Sequence, residues 1–287
     1  MPSVVNTNLV SLNSQRNLSS SQASLTTAMQ RLSSGLRVNS SKDDAAGLAI
    51  SERMNAQVRG MNVAIRNAND GISLVQTAEG AMAKVGDALQ RMRELAVQSR
   101  NASNSGSDKD SLDKEFGELA KEIQRVIGGT SFNGKRIIGS DAGTQTFQIG
   151  ANTTSDDTID LATTNMGAAT NLTTVAGTDN TGSGRAVIDS TTNSTTLKTV
   201  IDNIDTAIDF VNTQRATMGA AQNRFDAVIS NLQVSVENQM SAKSRITDAD
   251  FATETANLSR AQILQQAGNA MVAQANQLPQ QVLRLLQ

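Results

Sequence analysis

The stretch DDAAGLAISERMNAQVRGMNVAIRNANDGISLVQTAEGAMAKVGDALQRMRELAVQSR, Asp43 to Arg100, decides how this chain folds. Steps of seven from Met54 give Met61, Ala68, Val75, Met82, Leu89 and Ala96, all apolar. Val58, Ile65 and Ile72 form a second row beside them, continued by Val85 and Met92. Residues seven apart share one face of a helix, so the stretch reads as a single long helix with a sustained apolar seam. At its usual rise such a helix is about 80 Å long. A compact domain has no interior of that length. The seam therefore calls for other long helices beside it, from this chain or from other copies. The fold class expected is mainly α: an elongated antiparallel helical rod or coiled coil, with a small β-rich subregion in the middle of the chain.

Composition narrows the function. The 287 residues carry a net charge of −2, which argues for neither nucleic acid nor an acidic partner. There is no Cys and no His. Disulfides, thiolate metal sites and thiol nucleophiles are excluded, as is the commonest general base. Asp43 and Asp44 stand side by side, but at a helix start, where capping explains them better than catalysis. Gly128-Gly129 lacks the Lys-Ser/Thr that a phosphate loop needs. The reading is of a protein that is not an enzyme and holds no cofactor or metal. No run approaches the roughly 20 apolar residues of a membrane span, and the start MPSVVNTNLVSLNSQ has no basic-then-apolar secretory pattern.

Outward from the long helix, the same pattern recurs. Residues 1–42 hold no acid, and their only charges are Arg16, Arg31, Arg37 and Lys42. Apolar residues start at Val5, and Leu25, Met29, Leu32 and Leu36 follow 4-3-4 spacing, a coiled-coil seam. Ser41 with Asp44 reads as the start signal of the long helix. The glycines inside it, Gly60, Gly71, Gly80 and Gly86, suggest close helix-to-helix approach. A helix over about 107–127 follows, with Leu112, Phe116, Leu119, Ile123 and Val126 on one side and Gly128-Gly129 as its stop. From about 135 to 195 Thr, Ser, Asn, Gly and Asp dominate. Thr146–Ile149 and Thr158–Leu161 read as strands and the rest as loop, with Gly177–Arg185 its least tied part. The row Leu197, Ile201, Ile204, Ile208, Val211, Arg215, Met218, Gln222, Phe225, Ile229, Leu232, Val236 then alternates by four and three, apolar except at Arg215 and Gln222. It predicts a helix over about 196–241. After a break at Ser244–Asp250, Leu264, Gly268, Met271, Ala275, Leu278, Val282 and Leu285 resume the spacing, with Pro279 expected to kink or end the helix. Both ends are thus amphipathic and poor in acid, which suggests that they pack on each other.

Several strings resemble one family. RLSSGLRVNSSKDDAAGLAISERM (Arg31–Met54) is similar to the N-terminal signature of bacterial flagellin, and SRAQILQQAGNAMVAQANQLPQQVLRLL (Ser259–Leu286) to its C-terminal one. QRMRELAVQ (Gln90–Gln98), TSFNGKRI (Thr130–Ile137) and SRITDADFATE (Ser244–Glu254) agree as well. The resemblance covers about residues 1–140 and 196–287, so this is a short form with little or no outer variable domain.

That resemblance implies a structural subunit that polymerises, many copies together, into the filament used for swimming. Its terminal segments, here 1–43 with 248–287, would form an inner-tube coiled coil, and 44–247 a rod domain. The assembly seam implied at the ends is Leu25, Met29, Leu32, Leu36, Leu264, Met271, Leu278, Val282 and Leu285. Secretion would run through the flagellar type III apparatus to the extracellular filament, which accounts for the missing signal peptide. Further partners implied are an export chaperone at the C-terminal segment, the filament cap and hook–filament junction proteins, and the host Toll-like receptor for flagellin. Arg91, Leu95 and, by ungapped alignment, Glu115 take the positions of receptor recognition and protofilament contact. Two other readings stand beside this one: the hook–filament junction protein, a relative, and an unrelated coiled-coil fibre. Glycosylation of the middle Ser and Thr residues is a further family property.

Overall fold

A computed structural model describes the backbone of residues 7–285 and the side chains of residues 7–277. Val5 and the side chains of Leu278, Val282 and Leu285 lie outside the described residues. The order of elements is α1 (Leu9–Ser34), α2 (Ala45–Ser99), α3 (Gly106–Gly129), β1 (Thr144–Gln148), β2 (Thr158–Ala162), α4 (Thr170–Ala176), α5 (Ser194–Thr247) and α6 (Phe251–Leu285). The mainly helical class expected from the periodicity is what the chain adopts. Two compact units are present, Met1–Val58 with Glu237–Gln287, and Arg59–Val236. Their limits fall inside α2 and α5.

The unit Arg59–Val236 has a closed core. Ala68, Val75, Met82, Leu89 and Ala96 are all buried, together with Val85, Met92, Phe116, Ile123, Leu197, Ile204, Val211, Met218 and Phe225. Each fully buried side chain of this size is worth about 1.5–3 kcal/mol. α5 lies antiparallel to α2, as the pairs Arg93–Asp205 at 2.5 Å and Glu79–Arg215 at 3.9 Å show. α3 starts with a capping box, in which Ser105 and Asp108 each satisfy the other's backbone N–H. Its Gly128-Gly129 pair is the last of the helix rather than the residues beyond it, and Thr130 closes the end by donating its N–H to Val126.

α3 buries two faces where its heptad row announces one. Gly117, Ala120, Gln124 and Ile127 are buried beside Phe116 and Ile123. Against the second face sits α4, a helix in a stretch whose composition reads as loop. Leu172, Val175 and Ala176 of α4 are wholly buried. Polar bonds fasten the chain between α4 and α5. Gln124 donates to the carbonyl of Gly177 at 2.5 Å, and Arg185 meets Asp113 through two bonds, at 2.9 and 2.5 Å. Asp113 also accepts the N–H of Ile188, whose carbonyl accepts the buried Ser99 hydroxyl. The segment expected to be least tied is therefore held at both ends.

β1 and β2 pair antiparallel, from Thr144 opposite Ala162 to Gln148 opposite Thr158. Phe147 meets Phe225 edge-on, ring centroids 5.4 Å apart. Two helix glycines make room here. A Cβ on Gly71 would lie 2.8 Å from the Phe225 ring, and one on Gly60 2.8 Å from Ala151. Gly80 and Gly86 face open space. The glycines of α2 thus admit an aromatic ring and a loop tip, not the backbone of a second helix.

In the other unit, α1 and α6 run antiparallel, with Asn8 against Ala275, Leu18 against Gly268 and Arg31 against Glu254. Gly35, at φ +71°, closes α1 by donating to the Arg31 carbonyl. The links beyond pair with each other: Arg37 N–H donates to Thr247, and Ala249 N–H to Gly35. Asp44, not Ser41, caps α2, accepting from Gly47 N–H at 2.8 Å. Asp43 instead braces the preceding turn, and the Ser40 hydroxyl and N–H it accepts hold its carboxyl below the usual range. Neither is placed for catalysis.

α6 continues through Pro279 to Leu285, where the sequence predicts a kink or an end. Proline offers no N–H to the carbonyl four residues back, which is that of Ala275. Asn8 supplies the missing donor, its Nδ2 lying 2.7 Å from that oxygen. With the orphaned acceptor satisfied from α1, the helix has less reason to break there.

Candidate assembly and recognition surfaces

Arg91 and Glu115 come together on the surface of the unit Arg59–Val236. Both are exposed, one on α2 and one on α3, and the guanidinium lies 2.8 Å from the Glu115 carboxylate. Glu94, one turn along α2, takes the other side of Arg91 at 2.8 Å. The bonds to Glu94 and Glu115 raise the guanidinium above its ordinary pKa, and the site presents an arginine flanked by two acids. Arg93 lies nearby, paired with Asp205, and Val97 is half exposed. The result is an exposed, charged surface with one apolar spot.

Leu95 departs from its expected place. Its side chain is 0 % exposed. A residue without accessible surface cannot touch a partner while this packing holds. Direct contact therefore gives way to burial: Leu95 belongs to the core of the unit, not to its surface. Periodicity carried the clue, because Leu95 lies three residues beyond Met92 in the apolar stripe.

At the ends of the chain, the face joining α1 to α6 is lined by small residues. Ser11, Ala28, Ala261 and Ala275 are buried there, and Leu18 sits on Gly268. Of the seam expected from the large apolar residues, Leu25, Leu32 and Leu36 are partly buried, Leu36 lying beyond the end of α1. Met29, Leu264 and Met271 point outward. With Leu9 and Ile263, each keeps half or more of its surface exposed. Single exposed apolar side chains are ordinary, whereas several large ones left exposed on one pair of helices mark a surface awaiting cover.

Among the described residues no group of acids, His or Cys could hold a metal, and no helix is long and apolar enough to cross a membrane. The ion pairs Arg93–Asp205 and Asp113–Arg185 carry no spacing signal that joins their partners, and of the two only the second is shielded from solvent.

Comparison with known proteins agrees with this architecture. The model of the bacterial flagellin N-terminal helical region matches residues 5–146, and that of the C-terminal helical region residues 201–286. Flagellin of Halalkalibacterium halodurans is 44% identical over 99% of both chains. Flagellin of Xenorhabdus nematophila is 42% identical over 100% of both. The crystal structure of Bacillus cereus flagellin aligns at 31% identity and a TM-score of 0.47, covering 58% of this chain and 88% of that one. With both family regions matched in order and relatives aligned end to end, the chain belongs to the bacterial flagellin family, the structural subunits of the flagellar filament.

Proposed function

We propose that this protein is exported through the flagellar type III apparatus and polymerises outside the cell into a filament used for swimming. The observation that carries the reading is the set of large apolar side chains left exposed on the terminal helices, Leu9, Met29, Ile263, Leu264 and Met271. One chain leaves this set wet, and neighbouring copies would cover it. The terminal segments 1–43 and 248–287 are assigned to the inner tube and 44–247 to the surrounding rods. An export chaperone would take the C-terminal segment before secretion, and cap and hook–filament junction proteins would meet the polymer at its ends. Electron microscopy of the purified full chain under polymerising conditions tests this. Filaments of many copies are expected from the full chain and none from residues 44–247. A single ring from the full chain would favour a junction protein, and filaments from the shortened chain would remove the ends from the assembly.

Recognition by the host Toll-like receptor is assigned to the Arg91–Glu115 surface, supported by the intact QRMRELAVQ string and by the exposure of that charged pair. Arg91→Ala and Glu115→Ala are expected to weaken signalling by soluble monomer in reporter cells without loss of fold. Equal potency of wild type and the double variant would overturn the assignment.

A further inference from the structure

Methionine is the one side chain of this protein that a mild oxidant readily alters. Ten methionines are present, whereas Cys, His, Trp and Tyr are all absent. A peroxide therefore meets no thiol, imidazole, indole or phenol that would consume it first. Its target is the thioether sulfur, and the reaction follows how far that sulfur is open to solvent.

The methionines divide by unit. Met61, Met82, Met92, Met166 and Met218 belong to Arg59–Val236, and each is buried, at most 6 % exposed. A close-packed core of this kind lets a peroxide reach sulfur only when the unit opens. Met29 on α1, Met240 near the end of α5 and Met271 on α6 belong to the other unit. They are 55 %, 56 % and 58 % exposed. Met54 is half-buried, and Met1 lies outside the described residues. Among the described residues, the open sulfurs are thus confined to the unit that carries the terminal helices.

Oxidation changes what such a side chain can do. A sulfur lone pair takes one oxygen of hydrogen peroxide as the O–O bond breaks. The thioether becomes a sulfoxide, the sulfur giving up two electrons, and the peroxide is reduced to water. The product is polar and a strong hydrogen-bond acceptor, standing where Met29 and Met271 presented apolar surface. In the free chain water satisfies it. In a contact between subunits it would be buried, and an acceptor buried without a donor weakens that contact by roughly tenfold or more.

We propose that Met29 and Met271 are oxidation sites that govern assembly: their conversion to sulfoxide by a peroxide stops the free chain from polymerising and leaves its core intact. In the polymer, the copies that cover these side chains shield the sulfurs, so the sensitivity belongs to the free chain. The change is reversible. Methionine sulfoxide reductases, one for each sulfoxide epimer, remove the oxygen as water while a dithiol is oxidised to a disulfide. The inference rests on the reading of the terminal helices as assembly segments, and its test separates the two.

Full-length protein is treated with hydrogen peroxide, freed of it, and mapped by peptide mass spectrometry before polymerisation is started. Sulfoxide is expected at Met29, Met240 and Met271 roughly tenfold or more faster than at the five buried methionines. Thermal unfolding should stay unchanged while filament yield falls by roughly an order of magnitude, and both reductases together should restore the yield. Filaments formed first and then treated should gain little sulfoxide at Met29 and Met271. Met29→Leu with Met271→Leu keeps the size and apolarity without the sulfur. That variant should polymerise after peroxide as it does before, although its Met240 is still oxidised. Full yield from the oxidised natural chain, equal sulfoxide rates in chain and filament, or a block that persists in the leucine variant overturns the proposal. If the leucine variant does not polymerise even untreated, the partly oxidised natural chain decides. Sulfoxide at Met29 and Met271 enriched in the chains left out of filaments supports the proposal, and equal amounts in both fractions overturn it. Absence of filaments from the untreated natural chain would defeat the assembly reading, while the sulfoxide map of the free chain still reports whether Met29 and Met271 are the sites oxidised.

Discussion

Unit Arg59–Val236 and the terminal pair α1–α6 are built on the same heptad idea, with opposite outcomes. In the first, the row Ala68, Val75, Met82, Leu89, Ala96 is shut away by α3, α5, the hairpin and α4. In the second, two helices meet along alanine and glycine, and larger side chains such as Ile263 and Met271 stay outside. A two-helix seam buries one stripe on each partner, whereas three or more helices can close over a core. The closed unit draws its stability from itself. The open pair carries a surplus of apolar surface whose burial depends on other molecules. The same chemistry thus yields a folded body and a set of ends suited to polymerisation.

The contrast can be broken by substitution, read as thermal unfolding and as filament yield. The largest effect is expected from Phe116→Ala, which empties a wholly buried site between α2 and α3. It should cost about 3–5 kcal/mol, and calorimetry would show a lowered Tm. A change below about 1 kcal/mol would mean that the core is less closed than the burial implies. Next comes Arg185→Ala. It strands the mostly buried Asp113 carboxylate and frees the strand of chain leading to α5. About 2 kcal/mol is expected, with faster amide exchange at Ile188. Unchanged exchange there would show that the apolar contacts of α4 suffice.

Smaller effects sharpen the picture. Gly80→Ala adds a methyl group into open space on a helix interior and should stabilise by about 0.5–1 kcal/mol. Gly71→Ala, pressed on Phe225, should destabilise instead, so equal signs would refute the packing described. The smallest stability change, within about 0.5 kcal/mol, is expected from Leu264→Asp on the exposed face of α6. Filament yield should nonetheless collapse in that variant, because the charge would be carried into the subunit contact. Normal filaments from Leu264→Asp would show that this exposed set is not covered on assembly.

Much of this fold is legible in the chain alone. Sustained 4-3 spacing places α2 and α3 to within about two residues of their ends, because a periodic apolar face is a local property of the chain, whereas α5 runs on to Thr247, past the expected end at 241 and into the stretch Ser244–Asp250 that reads as a break. The hairpin is readable from short alternating runs, though β1 starts at Thr144 rather than Thr146. α4 is not. TNLTTVA is short and β-branched, and it is helical because α3 offers Leu172, Val175 and Ala176 a place to be buried. Among the candidate surface residues, Arg91 and Glu115 meet across α2 and α3, a contact that no spacing announces. Leu95 turns inward, since the stripe it belongs to takes precedence over the motif it sits in.

Residue order alone accounts for the helical class, the position of the long helices, the acid-poor ends and the exclusion of cysteine and histidine chemistry. Each comes from residue type and spacing along the chain. Packing in three dimensions settles which side of each helix is covered, that Asn8 answers the carbonyl left open by Pro279, and that Arg185 reaches Asp113. These join residues far apart in the chain through single hydrogen-bonding atoms. No period or composition marks such partners, because what brings them together is the packing of everything between them.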